Sequence, residues 1–194
     1  MRSFCVPLSL NPLKNVSLSR SFIYPPSLIT VPTVVAVARA AEDLPMPQSI
    51  TLTAGQEWGA QPVILAARRY AAFWNSGEAR YAAAALSANF VDRTLPPERP
   101  QGFEGVLQAA QNFRAAIPDL RTEIEELLVM DHRAIVRHVM TGHFTGKFKE
   151  LKGDGRAVSA RAVNIYRVQN GLISDNWHQE EHPSLIQQLG APSF

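Results

Sequence analysis

The sequence predicts an α+β fold in which N-terminal helices cover one face of a curved antiparallel sheet, a shape that can enclose a pocket. Three observations carry that expectation. Apolar residues recur at helical spacing between residues 62 and 116, the period drops to two after Pro118, and Asn170-Gly171 sets a tight-turn signal between two alternating segments. With 194 residues, 46% of them hydrophobic and 19% charged, the chain is too apolar for a disordered tail and too short for several enzyme domains.

The elements follow in order. Val63, Ile64, Ala67, Tyr70, Ala71 and Trp74 lie on one helical face with Arg68 and Arg69 on the other, and Asn75-Ser76-Gly77 stops the run. An alanine-rich helix over about 78–86 precedes Asn89-Phe90-Val91-Asp92, after which Pro96, Pro97 and Pro100 stiffen a loop. Phe103, Val106, Leu107, Ala110 and Phe113 mark a third helix over 102–116, ended by Pro118-Asp119. Strands are expected over 121–130, 134–144, 157–168 and 172–178, with Glu123 and Glu125 suggesting one wet face. The glycine-rich, charged stretch 146–155 reads as a loop, and Asn170-Gly171 supplies the positive φ that a tight hairpin requires.

Charge separates this domain from what precedes it. Four of the 19 basic residues (Arg2, Lys14, Arg20 and Arg39) fall in the first 40, where there is no acid. From residue 41 on, 15 basic residues face 17 acidic ones, so the overall +2 belongs to the leader and argues for no nucleic-acid partner. Residues 1–47 are expected to be a leader and linker, and 48–194 the working domain. The apolar run 28–37 followed by Ala38-Arg39-Ala40 fits export with cleavage at 40/41, giving a periplasmic or secreted protein. A transit peptide, or a start at Met46 that leaves the protein cytoplasmic, fits the same residues. An integral membrane span is not expected, because the run is short and interrupted by proline.

The single Cys excludes an internal disulfide, a four-thiolate zinc site and a CxxC redox pair. Short motifs for α/β-hydrolases, P-loops and dinucleotide binding do not occur. His178-Gln179-Glu180-Glu181-His182 formally matches an inverted zinc-protease motif, but that chemistry needs a helix. Here the motif starts at a strand end and runs into Pro183, so no metal site is expected.

The segments Tyr70-Ala71-Ala72-Phe73-Trp74-Asn75-Ser76-Gly77, Asn89-Phe90-Val91-Asp92, Ile117-Pro118-Asp119-Leu120, Thr141-Gly142-His143-Phe144-Thr145-Gly146, 165–173 and Gln187-Gln188-Leu189-Gly190 follow one another in an order that resembles the SnoaL-like polyketide cyclases and related ester cyclases. These belong to the broader nuclear-transport-factor-2-like (NTF2-like) fold. The resemblance implies a cone-shaped sheet whose wide end is closed by helices, a small-molecule substrate, no cofactor, and a homodimer paired through the open sheet face. It also implies acid/base chemistry, in which a proton is moved on a bound polyketide ester so that a carbanion closes a ring by aldol addition.

Carried over position by position, the resemblance places the family's acid/base carboxylate at His178, an imidazole that can exchange a proton near neutrality. It places Asp92 at a pocket position as the partner of His178. Asn164 and Asn176 become hydrogen-bond partners to substrate oxygens, Ala162 a small pocket residue, and Trp74, Phe90 and Phe113 core or pocket lining. Trp177 alternates with Asn176 and His178 and should face away from them. His143 reads as a surface or strand-end residue, His138 and His132 as structural, and Tyr166 as sheet packing. The functional expectation is proton abstraction followed by aldol-type closure or isomerisation on a small apolar carbonyl or ester. The alternative is a non-catalytic small-molecule-binding protein of the same fold.

Overall fold

Helix and strand bounds follow the local signals closely. The computed structural model describes residues 44–55, 59–95, 98–181, 185 and 187–190. Residues 1–43 of the expected leader and linker, with the 40/41 cleavage site, and Pro96, Pro97, His182 and Pro183 lie outside the described residues. Helix α1 spans Ala60–Ser76 and ends at Gly77, whose φ of 73° lets its N–H bond the Phe73 carbonyl at 2.7 Å. Its apolar face buries Val63, Ile64, Ala67, Tyr70 and Phe73. Burying a residue such as Phe73 contributes about 2–3 kcal/mol. Helix α2 is Ala79–Ala85, and α3 is Gly102–Ala116. No helix among the described residues is long and apolar enough to cross a membrane.

The strands are β1 (Ile50–Leu52), β2 (Leu86–Asp92), β3 (Arg121–Met130), β4 (Arg133–Phe144), β5 (Lys147–Phe148), β6 (Leu151–Lys152), β7 (Arg156–Gln169) and β8 (Leu172–Glu180). Among the described residues six of them form one sheet in the order β1-β3-β4-β7-β8-β2. The meander from β3 to β8 is antiparallel as expected, and Asn170 and Gly171, with φ of 51° and 76°, make the tight β7–β8 turn.

Two additions were not read from the sequence. The edge strands β1 and β2 pair in parallel with β3 and β8, so the sheet is mixed at both margins. The stretch expected as a plain loop folds into the small β5–β6 hairpin. That hairpin is tied back through Gly146, whose N–H reaches the Ala116 carbonyl at the end of α3 (3.0 Å) and whose carbonyl accepts from Gly153 (2.7 Å).

Alternation along β7 points Val158, Ala160, Ala162, Asn164, Tyr166 and Val168 inward, toward the helices. A β-bulge in β8 changes the parity of that strand, because Arg167 pairs with Asp175 whereas Val168 pairs with Ile173. Ile173 is therefore buried before the bulge, while Asn176 and His178 take the inner face after it. Trp177 points outward, as its alternation predicts, and lies under the guanidinium groups of Arg133 and Arg167 at 5.8 and 5.3 Å.

Candidate active site

Sheet register assembles the inner-face polar residues in rows. Ala134, Tyr166 and Asn176 are successive partners across β4, β7 and β8; Val136, Asn164 and His178 form the next row; His138, Ala162 and Glu180 the one after. On the other side of β8, Asp92 pairs with Asn176. The four polar residues expected in the site, His178, Asp92, Asn164 and Asn176, thus share one concave face. Ala162 sits between His138 and Glu180 in the register and is buried.

Asp92 is held on both sides. The Gln101 side-chain amide donates to its carbonyl at 2.9 Å and accepts from its N–H at 3.0 Å, and the next N–H, of Arg93, reaches the Asn176 carbonyl at 2.8 Å. The chain then turns, and Asp92 Oδ1 accepts from both the N–H (3.0 Å) and the hydroxyl (2.8 Å) of Thr94. Thr94 Oγ1 also lies 2.8 Å from His178 Nδ1 and accepts from the His178 N–H at 3.2 Å. Asp92 Oδ2 lies 3.1 Å from the same Nδ1, and Asn176 Nδ2 donates to that carboxylate oxygen at 3.3 Å.

These contacts assign the imidazole tautomer. The Thr94 hydroxyl has one proton, which goes to Asp92 Oδ1, so Thr94 Oγ1 and Asp92 Oδ2 are both acceptors facing Nδ1. Asn176 Nδ2 also lies 3.3 Å from Nδ1, but it donates to Asp92 Oδ2, and the shorter contacts from two acceptors place the proton of neutral His178 on Nδ1 and the basic lone pair on Nε2. Burial pulls the His178 pKa down, but the hydrogen bond and charge of Asp92, with help from Glu180, outweigh it and hold the imidazole above its ordinary 6.5. Burial likewise pushes Asp92 up, and its bonds from His178 and Thr94 bring it below the usual carboxylate range. Asp92 is nearly enclosed, whereas His178 and Glu180 keep 20% and 28% of their side chains exposed, so the site is partly open beside Nε2, which lies 4.0 Å from Glu180 Oε1.

Several residues at the site carried another reading or none in the sequence. Thr94 and Gln101 are single loop residues with no spacing signal. His138, read as structural, is buried on the inner face with Asn164 Nδ2 3.3 Å from its Nδ1. Its signal was the alternation Ala134, Val136, His138, Met140, which puts one imidazole on an otherwise apolar face. Tyr166, read as sheet packing, is buried opposite Asn176 and meets Tyr70 edge-on at 5.7 Å. Burial raises both phenols, and Asp92 raises them further, so they stay protonated.

The aromatic residues divide. Phe90 and Trp74 pack against Tyr70 at 6.5 and 6.2 Å. Phe113 touches Trp74 edge-on at 6.0 Å but faces further along the sheet, where it lines a small cavity with Ile117, Met140, Val158, Ala160 and Leu185. His143 is exposed and paired with Asp119 at 2.7 Å, a strand-end latch away from the inner face. His178 to Glu180 lie within β8, so that part of the H-x-x-E-H spacing is on a strand, not on the helix a zinc-protease site requires.

Comparison with known proteins agrees with this architecture. A family profile described as SnoaL-like polyketide cyclase matches residues 64–189. Among solved structures, a candidate polyketide cyclase from Bacillus cereus ATCC 10987 is 35% identical, with a TM-score of 0.69 over 77% of this chain and 95% of that one. TsrD from Streptomyces laurentii is 24% identical, with a TM-score of 0.63 over 70% and 100% of the two chains. IdmH, a candidate polyketide cyclase from Streptomyces antibioticus, is 22% identical, with a TM-score of 0.59 over 68% and 99%. These last two likenesses speak to the fold alone. No curated protein matches the chain. With the profile spanning most of the chain and the Bacillus cereus relative covered almost end to end, the chain belongs to the SnoaL-like polyketide cyclase family.

Proposed function

We propose that this protein is an acid/base catalyst of the cyclase or isomerase kind, acting on a small apolar carbonyl or ester compound held between the helices and the inner sheet face. The family and its cyclase-like neighbours support the class of reaction. The observation that carries the proton-transfer reading is the Asp92–Thr94–His178 arrangement, which leaves Nε2 as a base facing the open side of the site. In the proposed reaction Nε2 removes a proton next to the substrate carbonyl, and the C–H electron pair moves into an enolate. The carbanion form attacks a second carbonyl, and the imidazolium returns the proton to the new alkoxide or to carbon. Asp92 stabilises the imidazolium and holds its tautomer. Asn176 Oδ1, buried and without a hydrogen-bond partner among the described residues, offers an acceptor for a substrate hydroxyl.

The test is deuterium uptake and ring closure across a panel of aryl ketones and aryl β-keto esters in D₂O. The intact protein is expected to accelerate exchange on at least one member, and His178→Gln to lower that acceleration roughly 10²- to 10⁴-fold. Unchanged exchange in His178→Gln removes His178 from the chemistry. Tight binding with no acceleration makes the protein a carrier.

We also propose a homodimer formed through the outer sheet face. Val163 and Ile165 are 39% and 36% exposed there, and Ile165 stands between the partly buried Ile135 and Trp177 in the register, an apolar strip that favours burial against a second copy. Analytical ultracentrifugation of the full chain should give a dimer, and Val163→Glu with Ile165→Glu should give a monomer with unchanged circular dichroism. A wild-type monomer would refute it.

A further inference from the structure

The inner face carries a second histidine, this one buried, whose surroundings are the reverse of those at His178. His138 lies one row from His178, across Ala162 from Glu180, and Asn164 joins the two rows, being the register partner of His178 and the hydrogen-bond partner of His138. We propose that His138 is a fixed hydrogen-bond donor to the oxygen of the enolate or alkoxide formed in the reaction, through Nε2–H. This deepens the acid/base reading above and rests on it.

The geometry assigns the donor. Asn164 Nδ2 lies 3.3 Å from Nδ1 of His138 and 3.5 Å from its Nε2. The Asn164 amide donates and lies nearer Nδ1, and with Nδ1 as its acceptor the ring proton sits on Nε2, the tautomer this proposal requires. The imidazole is 8% exposed, and no carboxylate touches it among the described hydrogen bonds and ion pairs. Burial pushes it down to about 4, against the upward pull of Glu180. It is therefore neutral at pH 7 while His178 is held above 6.5, and two histidines whose environments drive them apart divide the work of base and donor. A neutral donor at this position stabilises negative charge on oxygen without surrendering its proton. The step balances: the substrate C–H proton goes to His178 Nε2, its electron pair ends on the carbonyl oxygen, and His138 changes neither charge nor proton count.

The probe is 4-nitrophenolate, whose charge sits on one oxygen as in an enolate, with nitrobenzene as the analogue lacking that oxygen. The full chain is expected to prefer the phenolate. His138→Phe is expected to lose at least roughly tenfold in phenolate affinity with nitrobenzene binding unchanged. No phenolate preference in the wild type, a preference that survives His138→Phe, or equal losses for both probes overturns the proposal. In case His138→Phe does not fold, nitrogen NMR of the wild-type chain decides. A neutral Nε2–H tautomer of His138 at pH 6 that shifts on adding 4-nitrophenolate upholds the donor, and an Nδ1–H tautomer or an unmoved resonance overturns it. Both readouts are repeated in His178→Gln. A His138-dependent preference there upholds the donor even if His178 fails as the base, and its loss there refutes the donor independently of the exchange experiment.

Discussion

Replacing Asp92 with Asn is expected to lower kcat/KM roughly 10²- to 10⁴-fold while leaving the turn that follows β2 in place. An asparagine oxygen can still accept from the Thr94 N–H and hydroxyl, as Asp92 Oδ1 does at 3.0 and 2.8 Å. The amide nitrogen then occupies the place of Oδ2, 3.1 Å from His178 Nδ1, and donates to it. That reverses the tautomer: the imidazole proton moves to Nε2, and the basic lone pair turns away from the open side of the site.

The pH profile separates this from a loss of fold. In the wild type His178 loses its basic form as pH falls through a value above 6.5, so the acid limb of kcat/KM lies above that pH. In Asp92→Asn the main upward influence is gone and burial remains, so the limb moves to lower pH. The stability contribution of the pair has its own window. His178, with its raised pKa, contributes below 6.5 and loses the contribution as pH rises through its folded value. Asp92, with its lowered pKa, contributes above 3.8 and loses it as pH falls through its folded value. The difference in urea stability between wild type and variant should therefore be widest between these limits and narrow on either side.

The second large effect is on stability, at Gly146→Ala. A Cβ at this position would stand 1.9 Å from the Ala115 carbonyl oxygen and 3.1 Å from that of Ala116, both backbone atoms in the last turn of α3. Neither can swing aside as a side-chain tip could, so β4, the β5–β6 hairpin or the helix end must shift. The expected cost is about 3 kcal/mol, seen as a fall in Tm of roughly 6–12 °C for a domain of this size. Gly155→Ala is the comparison. A Cβ there meets nothing within 4 Å, and the cost is confined to its φ of 86°, about 1–2 kcal/mol. Equal Tm values for the two variants would show that close approach at Gly146 is not what requires glycine.

The meander and all three helices were legible because each carries a local signature: helical spacing with a Gly77 stop, β-branched and aromatic residues over 157–168, and Asn170-Gly171 at the turn. Strand β2 was not, since Leu86–Asp92 lacks alternation and owes its conformation to a partner strand at the other end of the domain. The β5–β6 hairpin has two residues in each strand, too few for a period to show. At the site, matching the family pattern reached the positions of Asp92, Asn164, Asn176 and His178. It missed His138, which has no counterpart in that pattern, and Thr94, whose role comes only from the turn Asp92 creates. The β8 bulge was invisible for a similar reason: alternation after residue 175 reads the same whether or not the strand changed parity before it.

The parallel pairing of β2 with β8 also dictates when the proposed Asp92–His178 pair can exist. Asp92 and Thr94 come from the first half of the domain, and Asn176 and His178 lie about 84 positions downstream. Closing so long a stretch of chain carries an entropic cost that local contacts do not share. On the ribosome, the carboxylate and its turn emerge long before the imidazole that completes them, so helices and early strands fold around an unfinished centre. Assembly of the proposed proton-transfer pair thereby becomes a report on the arrival of the last strand, and a chain cut short before Asn176 can hold much of the architecture while lacking the imidazole of His178.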